Sequence, residues 1–174
     1  MSEPHLGGWA PRLAALGLLL ALVAPPAAMA GVLEDLRGRW AAASGGATAM
    51  EWATSDDGFA LTWTPRDGAS TTIWFSSVGR PNVYAGSAKG WSMMGAMFGG
   101  DAPVNPLNGD TLYWARTTAD ALYVYSLAID DKGGFVLDRY AAHLEQGALA
   151  VTMTRRTAGG GEDPQEQKLV RSGP

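Results

Sequence analysis

From residue 48 onward the chain alternates apolar and polar side chains in short runs separated by turn signals. Thr48, Met50 and Trp52 share one parity, with Glu51 on the other. Asp56-Asp57-Gly58 reads as a hairpin turn. Phe59, Leu61 and Trp63 then alternate with Ala60, Thr62 and Thr64, as a half-buried strand requires. Pro65-Arg66-Asp67-Gly68 turns the chain again, and Ile73 and Phe75 continue on one face. Gly79-Arg80-Pro81-Asn82 leads into a short strand at Val83-Tyr84. The pattern resumes at Thr111 to Thr117. A turn at Thr118-Ala119-Asp120 precedes the most apolar strand, Ala121 to Ile129. Phe135 to Ala141 and Ala148 to Arg156 are predicted to pair across Glu145-Gln146-Gly147, and a last strand lies near Gln167 to Arg171. The spacing predicts an all-β fold, an antiparallel up-and-down meander of 8–10 strands. Nearly every link is hairpin-length, which favours a closed barrel over a Greek-key sandwich, and closure removes the exposed edges of a long meander.

One stretch breaks the pattern. Residues 86–110 are rich in Gly, Pro and Asn yet hold Trp91, Met93, Met94, Met97 and Phe98. Connections this long inside a compact domain tend to be functional or disordered, and the apolar content argues against disorder. A short helix over Ser92 to Phe98 is expected. The segment either lids a barrel mouth with adaptable Met side chains or plugs one end as a small satellite core. Membrane contact is the least favoured option, because an interfacial helix carries more Lys and Arg.

The N-terminus has the parts of a secretory signal peptide: Arg12 in a weak n-region, an apolar run from Leu13 to Val23, Pro25-Pro26, and a small-x-small site at Ala28-Met29-Ala30. The run is short for a membrane span, which takes roughly 20 residues. The expected organisation is a signal peptide over 1–30 and a single barrel domain over 31–174, periplasmic or secreted. The chain has no Cys, so neither a disulfide framework nor a lipid-anchoring thiol is available. The net charge of −4 comes with no basic stripe, which makes nucleic acid an unfavourable partner.

At the head of the meander stands Gly38-Arg39-Trp40. This Gly-x-Trp resembles the opening signature of the lipocalin-like (calycin) barrels, a motif that avidin-type barrels share. The resemblance implies a Trp on the first strand packed under an Arg from the end of the chain. Arg171 in Lys168-Leu169-Val170-Arg171 fits best, with Arg155 the fallback. It also implies a barrel that holds a small apolar or amphipathic ligand. The other lipocalin signature stretches and the usual disulfide are absent, and the long connection follows the middle strands.

The candidate ligand-binding residues are Trp52, Trp63, Trp91, Met94, Trp114, Arg116, Tyr123 and Arg139. Trp52, Phe59, Trp63, Phe75 and Trp114 would line a cavity or equally fill the barrel. Arg116 and Arg139, if inward, would meet an anionic head group bidentately, with Tyr123 and Tyr125 adding hydroxyl donors; otherwise both reach solvent from strand ends. No catalytic constellation stands out and no cofactor is expected. His143 is the one His after the leader, and without Cys a His/Cys zinc site is excluded. Asp56-Asp57 and Asp130-Asp131 sit beside Gly as turn formers. The expected function is non-enzymatic binding of a small hydrophobic ligand. The rival is a filled-barrel envelope protein acting through protein contacts.

Overall fold

The computed structural model describes residues 30–42, 49–66, 68–88 and 104–172. A short helix, α1 (Ala30–Leu36), precedes the strands β1 (Gly38–Ala42), β2 (Ala49–Ser55), β3 (Gly58–Thr64), β4 (Thr71–Ser77) and β5 (Val83–Ser87). A 3-10 turn at Pro106–Asn108 leads to β6 (Leu112–Thr117), β7 (Leu122–Ile129), β8 (Phe135–Glu145) and β9 (Ala148–Thr157). A two-residue β10 (Gly160–Gly161) and β11 (Gln165–Arg171) complete the chain. Each strand pairs antiparallel with its neighbour from β1 through β9. Strand β11 then pairs with both β9 and β1 and closes the ring. The fold is an all-β meander closed into a ten-strand barrel, with β10 a small annex on β9.

The turns follow from local chemistry. Gln146 and Gly147 both have positive φ (53° and 83°), the twist that a two-residue hairpin between right-twisted strands requires. The Asp130 carboxylate accepts from the N–H groups of Lys132 and Gly134 and organises its own turn. Among the described residues no helix is long and apolar enough to cross a membrane.

One end of the barrel is sealed. Val32, Leu33 and Leu36 of α1 pack against Trp40, Phe59, Phe75, Leu122, Leu149 and Leu169, all buried. The Trp40 indole Nε1 donates to the Leu36 carbonyl at 2.8 Å, which satisfies an orphan acceptor at the helix end. The Arg171 guanidinium lies over the Trp40 ring, 4.6 Å from its centroid, as a cation–π pair. The same guanidinium donates to the carbonyls of Arg37 and Asp35 at 3.0 Å each, a cation placed at the negative end of the helix. Gly38 has φ +116°, and a Cβ there would sit 3.2 Å from Arg171 Nη1. The Gly, the Trp and the terminal Arg are therefore one structural unit.

Candidate functional site

Inward-facing residues on the far side of this plug enclose a cavity of about 480 Å³. An eight-strand barrel is narrow enough for its side chains to fill, and diameter grows with strand number, so ten strands leave room. One wall, from β2, β3 and β4, is apolar: Met50, Trp52, Leu61, Trp63 and Ile73. The facing wall comes from β6 to β9 and carries a polar row. Tyr113 pairs with Ser126, Ser126 with Asp138, and Asp138 with Arg155. Small side chains around that row, including Ala128 and Ala142, keep the lumen open.

The row centres on an ion pair. Asp138 is 7% exposed, and Arg155 holds it bidentately, Nε to Oδ1 at 2.7 Å and Nη2 to Oδ2 at 2.9 Å. The bond and charge of Asp138 push the Arg155 pKa above its ordinary value, which secures the cation. One layer deeper, Tyr140 reaches across the lumen to Trp63, with ring centroids 5.9 Å apart. Burial, reinforced by the Asp138 charge and opposed by Arg155, raises the Tyr140 pKa, so its phenol stays a neutral hydroxyl. Trp52 also lines the cavity; it is 4% exposed, and its indole Nε1–H is buried with no hydrogen-bond partner. Among the described residues no group of three His, Asp or Glu could hold a metal ion.

The chain matches no protein-family model, no curated protein and no solved structure. The geometry of the barrel alone therefore bears on function.

Of the sequence-expected site residues, Trp52 and Trp63 line the cavity. Four others do not: their positions on β6, β7 and β8 face outward, the alternative the sequence left open for the two Arg. Trp114 stacks on Tyr125 on the outer face, rings 5.0 Å apart and nearly parallel at 3°. Arg139 lies over the Tyr123 ring at 4.9 Å, also outside, and Arg116 is exposed opposite Tyr123 in the register. The reason is physical. Strand β7 carries bulky apolar groups on both parities, so alternation gives it no sidedness. The lumen takes the smaller set, Val124, Ser126 and Ala128, and leaves Tyr123 and Tyr125 outside. Phe59 and Phe75 belong to the sealed end, stacked at 4.7 Å. Trp91 and Met94, with the helix expected over Ser92 to Phe98, lie outside the described residues. The strands that flank them, β5 and β6, end and begin at the rim opposite α1.

Sequence reasoning missed Asp138 and Tyr140 and gave Arg155 no place in the cavity, because the candidate inward face of β8 was the one that carries Arg139, and Asp138 and Tyr140 lie on the opposite parity. The signal was present in the hairpin. Counting outward from the Gln146-Gly147 turn sets Asp138 opposite Arg155, and such a pair can face inward because each member neutralises the other.

Proposed function

We propose that this protein is an exported, lipocalin-like carrier that binds a small apolar or amphipathic molecule inside its barrel, without catalysis. The cavity carries this reading. At about 480 Å³ it falls within the range of roughly 300–1,000 Å³ typical of small-molecule sites. It has the character of such a site, an apolar lining with a few placed polar groups. The Gly38, Trp40 and Arg171 unit supports the lipocalin-like assignment. The Ala28-Met29-Ala30 site after its apolar run supports export. In this reading the sealed end is structural, and the molecule enters from the rim opposite α1.

Native mass spectrometry of the protein purified from its own source tests this directly. The expected result is an added mass of a small organic molecule that is released on denaturation. Bare protein alone, under conditions that keep weak complexes intact, would count against a tightly held ligand.

A second reading draws on the outer face. The Trp114–Tyr125 stack and the Arg139–Tyr123 pair form an aromatic and cationic ladder on β6 to β8. Aromatic residues and Arg are enriched at protein interfaces, which supports an envelope protein acting through protein contacts.

A further inference from the structure

The proposed ligand reading can be narrowed to a chemical class, and the narrowing rests on that reading. We infer that the molecule held in the lumen carries an uncharged hydrogen-bond acceptor, a carbonyl or ester oxygen on an apolar body, in preference to a carboxylate.

The argument begins with donors. Arg155 has five N–H groups, and its bonds to Asp138 use the Nε–H and one Nη2–H. The two Nη1 hydrogens and the second Nη2 hydrogen make no other bond among the described residues. Tyr113 and Ser126 add hydroxyls beside Asp138 in the register. Arg155 therefore keeps N–H donors that Asp138 does not use, on the same row as two hydroxyls. The Arg155 side chain is 37% exposed, so water reaches these donors in the free protein. A pure hydrocarbon would displace that water and leave them unmatched, whereas a ligand oxygen would take its place.

Charge then selects the kind of oxygen. Among the described residues, Asp138 and Arg155 are the only charged ones lining the cavity, and they already neutralise one another. A carboxylate entering beside them would bring a negative charge with no counter-ion, next to the buried Asp138. Such a charge is costly to desolvate. A neutral carbonyl draws on the same donors without that cost. The apolar wall of Met50, Leu61, Trp63 and Ile73 takes the rest of the molecule.

The test compares three probes of matched chain length at neutral pH: methyl dodecanoate, dodecanoate and dodecane. Binding is read as the change in intrinsic tryptophan fluorescence, to which Trp52 and Trp63 at the cavity contribute. The ester should bind about tenfold or more tighter than either other probe, which corresponds to about 1.4 kcal/mol. Asp138→Asn keeps the shape and an oxygen for Arg155 but removes the negative charge. It should raise the affinity for dodecanoate relative to the ester by about tenfold. Dodecanoate or dodecane binding the unaltered protein as tightly as the ester would overturn the inference and leave the carrier reading standing. An unchanged ratio in a folded Asp138→Asn variant would overturn it too. Silence of all three probes would overturn both. The ranking in the unaltered protein decides the matter even if the variant does not fold.

Discussion

Trp40→Ala should lower the stability of the barrel by about 3–5 kcal/mol, the range for removing a large aromatic side chain from a packed core. Trp40 is 1% exposed and ties three parts of the chain together. Its ring packs against Leu36 of the helix and its strand pairs with both β2 and β11. Its indole nitrogen caps the helix, and Arg171 covers its face. Alanine would open a cavity at the sealed end and release both polar contacts. Trp40→Phe separates these effects, since it keeps most of the apolar area and gives up the bond to Leu36. It should cost about 1–3 kcal/mol, the penalty for leaving a buried acceptor unmatched. Denaturant unfolding monitored by circular dichroism reads both. A loss below about 1 kcal/mol for Trp40→Ala would mean that the end is not packed as described.

Asp138→Ala should destabilise the fold by about 1–3 kcal/mol. Breaking a fully buried pair by removing one partner costs about 3–5 kcal/mol, because a charge remains without its counter-ion. The Arg155 side chain is 37% exposed, so water offsets part of that penalty. Replacing both partners should recover most of the loss, since an apolar substitute for an ion pair is often neutral. Asp138→Ala combined with Arg155→Met is therefore expected to be more stable than Asp138→Ala alone. A double-mutant cycle over the two positions measures the coupling. Independent, additive effects would show that the two side chains do not act as a pair.

Much of the architecture was legible because strands alternate and turns are chemically marked. Phe59, Leu61 and Trp63 fall on one parity of a strand whose opposite positions include two threonines, and the structure buries Phe59 and Leu61 as that pattern requires. Asp56-Asp57-Gly58 and Gln146-Gly147 fix two of the hairpins. The Gly38-x-Trp40 opening anticipated its contact with Arg171, although their register depends on barrel closure across 131 positions of sequence (171 − 40). The site was less legible. Strands β6 to β8 put aromatic residues on both faces, and which face turns inward depends on what the lumen can hold. The lumen takes Tyr113, Val124, Ser126 and Ala128, and Trp114 and Tyr125 stack on the other face. Asp138 did not stand out in the sequence, because only its cross-strand partner marks it as inward. That pairing is a property of two strands together and cannot be read from either one.

The central claim is that the lumen between the apolar wall and the Asp138–Arg155 row takes up a small molecule. Fluorescence titration with the neutral probe N-phenylnaphthylamine, on the unaltered protein and on Ala128→Trp, tests it most directly. Ala128 lines the cavity beside Val136, and an indole there would occupy the space without touching the sealed end. The account predicts saturable probe binding to the unaltered protein and its loss in a folded Ala128→Trp variant. Undiminished binding in that variant, or none in the unaltered protein, would contradict it.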